Sequence, residues 1–379
     1  MTVIASFPAP AAKLAKLISS IIPRRTRIDA LARMRITVTG GVVRLAVADC
    51  DAFALWESPA AWGACDVAVG ALSFAAACAD ADTVAVQDGA VSLGGVTLPA
   101  FDGEDCPELP SFGAAAMADF DAQGWTHLVK GVLPFVSDEE TRYYPKGVFL
   151  ANEEKGKAGL SPVACATNGR YLAAFDGPCT LPAAWKPVIV PSETIKLFDG
   201  AANLTGADVS IAQCGQGRWL RFSAEGLTVG GRAIGGSFPD FRRAIPTEAG
   251  FARFSTSAKA LSDTLATLKK SAPKAGMVTF SSLDTDAPAL SAAVGGMQAT
   301  KCFAARRDPA VSVSPLYQMA VKPKYMAALA KAAVDCGGKS ADLSVSYGVD
   351  AKRGHVEDHI VMRSESAAGM MWVLMPMRA

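Results

Sequence analysis

The chain has 379 residues, half of them hydrophobic and 19% charged, with a formal net charge of +1 at pH 7. That balance supports large packed cores and excludes a disordered chain, which buries too little apolar surface to offset its conformational entropy. Near-neutrality also excludes attraction to nucleic acid by total charge, so charge placement has to decide that question. Nine cysteines are scattered without a CxxC pair, which argues against a zinc site or disulfide framework and for buried thiols in a reducing compartment. Lys13 and Lys16 interrupt the apolar N-terminal stretch, so no secretory signal is expected. No apolar run reaches the roughly 18 residues of a membrane span. A soluble cytoplasmic protein of two or three domains is expected.

Leu14, Leu17, Ile18 and Ile21 follow helical spacing, and a second helix is expected at Val69–Ala79 around Leu72 and Ala76. The period then switches to two: Val84 and Val86 lead through Asp88-Gly89 to Val91 and Leu93, a hairpin pattern. Trp125, Leu128, Val129 and Val132 start the same series again. Ser192–Phe198 around Ile195 follows, then Val209 and Ile211 across Gly215–Gly217 to Trp219, Leu220 and Phe222. A third round runs from Ala258, Leu261, Leu265 and Leu268 to a helix at Lys322–Val334 around Tyr325 and Leu329. Leu343, Val345 and Tyr347 then cross a Gly348–Gly354 loop to Ile360–Met362. The expected fold class is α+β, with three similar domains, 1–113, 114–247 and 248–379, each laying two helices on antiparallel sheet. The chain closes on an apolar run, Met370–Leu374, followed by Met375-Pro376-Met377-Arg378-Ala379. Most termini are polar and frayed, so this one reads as a strand whose side chains are buried or held for a partner.

Charge is unevenly placed. Residues 9–29 carry Lys13, Lys16, Arg24, Arg25 and Arg27 against Asp29, and residues 256–274 carry Lys259, Lys269, Lys270 and Lys274 against Asp263. Residues 321–335 add Lys322, Lys324 and Lys331 against Asp335. The middle round offers only His127 and Lys130 on its first helix. Such segregation suits a surface facing a phosphate backbone, although lysines on amphipathic helices also serve simply as solvated faces.

Chemistry is sparse. Gly337-Gly338-Lys339-Ser340 resembles the end of a phosphate loop, but Ala333 stands where the motif needs glycine. It reads as a helix C-cap. His355 and His359 have metal-pair spacing, yet they enter an alternating strand without a Glu–His pattern around them. With three histidines and no nucleophile–base constellation, no catalytic site, metal or cofactor is expected.

Four segments carry a resemblance. Arg142-Tyr143-Tyr144-Pro145-Lys146-Gly147, Ala166-Thr167-Asn168-Gly169-Arg170-Tyr171-Leu172-Ala173, Phe238-Pro239-Asp240-Phe241-Arg242-Arg243 and Val373-Leu374-Met375-Pro376-Met377-Arg378 stand in that order. They resemble the segments RYYLNG, ATDGHRLA, FPDYRR and VMPMR of the bacterial DNA polymerase III beta subunit, the replication sliding clamp. The resemblance extends over most of the chain. It implies three clamp domains per chain in a half-ring, and a homodimeric ring around duplex DNA that tethers a polymerase without performing chemistry. It also implies a pocket for short linear peptides of DNA polymerase III and other polymerases, the clamp loader and repair proteins. Carried over, the pocket wall comprises Thr167, Gly169, Leu172, Pro239, Arg243, Ala244, Val373, Met375, Pro376, Met377 and Arg378. The DNA-facing set is Lys13, Lys16, Arg24, Arg25, Arg27, Lys130, Lys259, Lys270, Lys322 and Lys324. The dimer edges include Val96, Leu98, Leu265 and Leu268. Four positions depart from the family pattern: Pro145 replaces a rim leucine, Arg170-Tyr171 replaces the usual His-Arg, and Lys269 stands where an apolar residue is usual at the dimer edge. An alternative is a clamp-like hub that docks partners without forming a DNA-loaded ring.

Overall fold

The computed structural model describes residues 2–23, 28–59, 61–110, 113, 115–137, 139, 146–154, 159–215, 218–247, 251–272, 274–294, 297–311, 313, 318–339, 341–348 and 359–375. Arg24, Arg25, Arg27, Pro145, His355, Pro376, Met377 and Arg378 lie outside them. The chain forms two compact units. The first comprises Met1–Asp121, Leu181–Lys186 and Glu193–Ala233; the second comprises Ala122–Thr180, Pro187–Ser192 and Ile234–Ala379. Residues 114–247 thus contribute to both.

The described helices are α1 (Ala12–Ser19), α2 (Ala71–Ala77), α3 (Ala122–His127), α4 (Ser192–Thr205), α5 (Ala258–Ser271) and α6 (Pro323–Gly337). All six expected helices are present, with α4 seven residues longer than its apolar spacing suggested. None is long and apolar enough to cross a membrane. Local chemistry explains their ends. The Ser257 hydroxyl accepts from the Ala260 amide at 3.0 Å and caps α5. Pro323 opens α6, and Gly338 closes it at φ +80° with its amide bonded to the Val334 carbonyl at 2.8 Å. The glycine pair is therefore the C-cap that its sequence indicated.

In the first unit, a five-stranded sheet runs Trp62–Gly63, Val3–Pro8, Thr83–Gln87, Ala90–Leu93, Val96–Pro99. A nine-stranded sheet runs Phe101–Asp102, Cys65–Gly70, Arg33–Thr39, Val42–Ala48, Ala52–Pro59, Leu227–Arg232, Trp219–Ala224, Val209–Cys214, Ala116–Phe120. In the second unit, a nine-stranded sheet runs Val188–Pro191, Gly147–Glu154, Leu160–Thr167, Tyr171–Asp176, Met370–Leu374, Ile360–Ser364, Asp342–Tyr347, Ala252–Ser257, Arg306–Arg307. A four-stranded sheet completes it: Met297–Cys302, Ala289–Val294, Val278–Ser281, Met319–Val321. The two large sheets share one plan. In each, a forward meander meets a reversed one, and the first strand of the later round ends up beside the third-last. All three hairpins expected from period-two patterning form as paired strands.

The second unit depends on its last strand. Met370–Leu374 is buried at every position, as a central strand covered on both faces must be. Trp372 is fully buried, and its indole Nε1 donates to the Gly131 carbonyl at 3.0 Å. Gly131 lies in a π-helical turn, Leu128–Val132, that continues α3. A Cβ there would stand 2.5 Å from Met370 Cε and 2.8 Å from Cys336 Sγ, so a side chain at 131 would have to displace both. His127 was expected on a solvated face and is instead buried, with its Nε2 donating to the Cys336 carbonyl at 3.1 Å. Its ring packs edge-on against Phe175. The helix spacing marked the buried stripe correctly; it did not reveal that the stripe included the histidine.

Trp372→Phe should cost about 1–3 kcal/mol, because it leaves the Gly131 carbonyl buried without its donor. Urea denaturation should show a lower midpoint with an unchanged slope.

Candidate functional site

Strand alternation sorts the central strands of the second unit into two faces. Leu172 pairs with Val373, Ala174 with Met371 and Cys165, and Val361 with Val373. These side chains join Val163 and Phe241 in one buried cluster, with Phe149, Phe238, Ala244 and Ile245 packed partly buried against it. Tyr171, Ala173 and Trp372 take the opposite face. The 238–245 segment covers one side of the cluster through its aromatics. Phe238 stacks on Phe149 at 5.0 Å, and Phe241 meets both edge-on at 6.3 and 6.4 Å.

The neighbouring arginines of that segment have different tasks. Arg242 Nη2 donates to Glu153 Oε2 at 2.6 Å and to Asp176 Oδ1 at 2.9 Å, and its guanidinium lies over the Phe241 ring. Burial alone would lower its pKa, but the bonds to Glu153 and Asp176 outweigh that and hold it above its ordinary value. Arg242 fastens the segment to the sheet. Arg243 is 87% exposed in its side chain and pairs with Asp240 at 3.0 Å, a contact that water competes for strongly.

A turn closes one end of the surface. Thr167 Oγ1 donates to the Tyr171 carbonyl at 2.8 Å and accepts from the Gly169 amide at 3.0 Å. Asn168 Oδ1 accepts from the Arg170 and Tyr171 amides at 3.0 and 3.2 Å. Gly169 sits at φ +82°, where a side chain would be strained. The Met375 amide donates to the Arg170 carbonyl at 3.0 Å, carrying the pairing one residue past the last strand, and its side chain is 42% exposed.

Beside this turn lies a cluster that sequence reasoning missed. Tyr325, near the start of α6, stacks on Tyr171 with centroids 4.5 Å apart. Tyr171 Oη donates to the Pro134 carbonyl at 3.2 Å, and its ring meets Phe135 edge-on. Arg170 Nη1 reaches Tyr325 Oη at 3.5 Å. Burial pushes the Tyr325 phenol up, but hydrogen bonds with Arg170 and Asn168 and the charges of Arg170 and Lys322 outweigh it, leaving the pKa below its ordinary value. No local pattern signals that residues 171 and 325 meet. The SFPDF pattern, with aromatics three apart, was a readable sign that the 238–241 stretch packs.

Of the pocket residues expected from sequence, Leu172, Val373 and Ala244 meet at the cluster. Pro239 and Arg243 lie exposed on the covering segment, Thr167 and Gly169 build the turn, and Met375 flanks it. Among the DNA-facing set, Lys13, Lys16, Lys130, Lys259, Lys270 and Lys324 are exposed and Lys322 is half-buried. Lys13 and Lys16 flank a shallow cleft against Gly200 and Asn203 of α4. Lys259 is engaged by Asp263 at 2.5 Å. Of the dimer-edge residues, Val96 is 43% exposed, whereas Leu98, Leu265 and Leu268 are buried within their own units. The helix spacing that singled out Leu265 and Leu268 marks the inward face of α5. Burial pushes the Cys165 thiol well above its ordinary value and raises Cys336 to about 12. Thiols so buried are poor nucleophiles.

No protein-family model matches the chain. The Beta sliding clamp of Caulobacter vibrioides (strain NA1000 / CB15N) is 32% identical over 153 residues, which is 40% of this chain and 40% of that relative. Solved sliding clamps are similar in fold over nearly the whole length. The DNA polymerase sliding clamp of Caulobacter crescentus has a TM-score of 0.84 and 18% identity, covering 99% of both chains. That of Bacillus subtilis has a TM-score of 0.82 and 16% identity, again covering 99% of both. A sliding clamp (DNA polymerase III subunit beta) from Bartonella birtlesii, solved bound to griselimycin, has a TM-score of 0.82 and 19% identity over 97% of both chains. The chain has the sliding-clamp fold, and the resemblance read from its four segments is borne out.

Arg242→Met should lower stability by about 1–2 kcal/mol, since it removes the cation shared by two half-buried carboxylates. Hydrogen exchange followed by mass spectrometry should speed up across 238–245 while the sheet beneath stays protected.

Proposed function

We propose that this chain is a DNA sliding clamp: a homodimeric ring on duplex DNA that tethers a replicative polymerase and exchanges other partners at the Leu172–Val373 surface. The observation that carries the reading is the clamp fold over 99% of the chain, combined with a partly open apolar cluster beneath the terminal strand. The three-domain plan, 1–113, 114–247 and 248–379, belongs to the same reading. Its support is the strand plan that recurs in the two large sheets.

The mechanism needs no chemistry. Exposed lysines on α1, α5 and the start of α6 supply attraction to phosphates that weakens steeply with salt. Closure of the ring supplies retention. Val96–Pro99 and Met297–Cys302 each form an edge of their sheet, and edge strands pair readily with another chain. Head-to-tail pairing of such edges is the proposed dimer contact, made by Val96 and main chain more than by the buried Leu98, Leu265 and Leu268. At the docking surface, burying one Leu and one Phe of a partner contributes about 3–6 kcal/mol before entropy losses. That predicts exchangeable binding near micromolar. Polymerases, a clamp loader and repair proteins are the expected owners of such peptides, and the cytoplasm the expected compartment.

Equilibrium sedimentation should give about twice the 39.3 kDa chain mass. Monomer alone at tens of micromolar would replace the ring with the interaction-hub reading. On nicked circular DNA, protein placed by an ATP-driven loader should survive a moderate salt wash and leave once the circle is cut. Equal retention on linear and circular DNA, lost in step with salt, would instead mark an ordinary basic DNA binder.

A further inference from the structure

Away from the docking surface, the second unit holds a groove of about 470 Å³ between the C-terminal half of α5 and the start of α6. That volume falls in the range of small-molecule sites, roughly 300–1,000 Å³. Leu265 and Leu268 of α5 form one wall. Val278 and Ala292, paired across two strands of the four-stranded sheet, form the floor. The space exists because small residues stand where the helices approach: Ala272 just past α5 and Ala327 on α6. Larger side chains there would fill the gap to ordinary interior density.

The rim carries charge of one sign. Lys269 lies on α5, and Lys322 and Lys324 flank Pro323 where α6 begins. No carboxylate occurs among the described lining residues. The acids of the two helices are engaged elsewhere: Asp263 pairs with Lys259 and Asp335 with Lys331, each on its own helix. Lysine stems cover apolar surface and leave the ammonium at the edge, which gives an apolar concavity a cationic mouth. A duplex backbone would need only the exposed lysines and has no use for the hollow behind them. The lining offers ammonium groups without the guanidinium fork that matches phosphate geometry, which favours a carboxylate as the anionic head.

We propose that this groove binds a medium-chain aliphatic carboxylate, with its chain against Leu265, Leu268 and Val278 and its head among Lys269, Lys322 and Lys324. At roughly 30 Å³ for a water-sized group, the volume takes a chain of about eight to ten carbons together with its head. Apolar burial supplies most of the binding, and the lysines set which end stays at the mouth. The groove shares no residue with the Leu172–Val373 cluster, so the two sites can be tested separately.

The test titrates the full chain with octanoate, hexanoate, 1-octanol and inorganic phosphate by isothermal calorimetry, below the concentration at which octanoate forms micelles. Octanoate should bind at one site per chain, about threefold to tenfold more tightly than octanol, as charge pairing at a solvated rim allows. Hexanoate should bind about tenfold more weakly than octanoate, because two buried methylenes are lost. Phosphate alone should give no saturable heat. Ala327 is exposed, so Ala327→Phe should leave thermal melting unchanged while its ring occupies the groove and abolishes binding. The double variant Lys269→Gln/Lys324→Gln, also at exposed positions, should bring octanoate down to the level of octanol. Absence of octanoate binding, or full binding to a folded Ala327→Phe, would overturn the site. Equal binding of octanoate and octanol, or no effect of the lysine substitutions, would overturn the carboxylate assignment. Phosphate binding as tight as that of octanoate would reduce the groove to an anion site and overturn the proposal.

Discussion

The pairing of Met370–Leu374 with Tyr171–Asp176 is the constraint on which the second unit depends. It joins segments about two hundred residues apart in the sequence, so the chain has to close a very long loop before these bonds form. What offsets that cost is burial on both faces at once. Trp372 locks into the π turn after α3, while Val373, one residue on, completes the cluster against Leu172. Register matters accordingly. A slip of one residue would send Trp372 to the Phe241 side of the sheet and Val373 to the helices. The Gly131 carbonyl and the Met375 amide act as pins at either end of the correct register.

The same alternation separates the two faces of the sheet. Residues 171 and 372 face the helices and are fixed by Tyr325, Phe135 and Gly131; residues 172 and 373 face the covering segment. Adjacent Arg242 and Arg243 repeat this division along the covering segment. One is consumed by Glu153 and Asp176; the other is left at the surface. An anchored residue and an exposed one thereby stand side by side without competing for the same carboxylates.

Much of this was readable in the residues. Six helices and three hairpins follow from 3.6- and 2-residue periods, because those patterns are local and each element satisfies its own backbone. Three of the four signature segments contribute residues to the cluster or its rim, Leu172, Phe238, Phe241 and Val373 among them. Other features were not legible, for physical reasons. Periodicity identifies an apolar face without saying whether it meets its own sheet or a second chain, and so Leu98, Leu265 and Leu268 were candidates for an interface although they are core. Histidine is ambiguous in the same way: His127 counted as a charge until its partners, Cys336 and Phe175, came from distant segments. The Tyr171–Tyr325 stack required the tertiary fold itself. Residue type at 171 departs from the family pattern, and the consequence of that departure is visible only as a contact.

The burial values also limit how tightly the proposed docking surface would hold a partner. Leu172 and Val373 are already 3% and 2% exposed, so a docked peptide removes little further water from them. Its gain has to come from the half-open rim of Phe149, Phe238, Ala244 and Ile245, and from the exposed Met375. Met is suited to that position, since its flexible thioether adapts to side chains of different shape. A rim of this kind gives moderate affinity that depends on edge contacts. Discrimination between partners therefore falls to the groups around the floor, where one well-placed charge shifts the balance more than another methyl group beneath it.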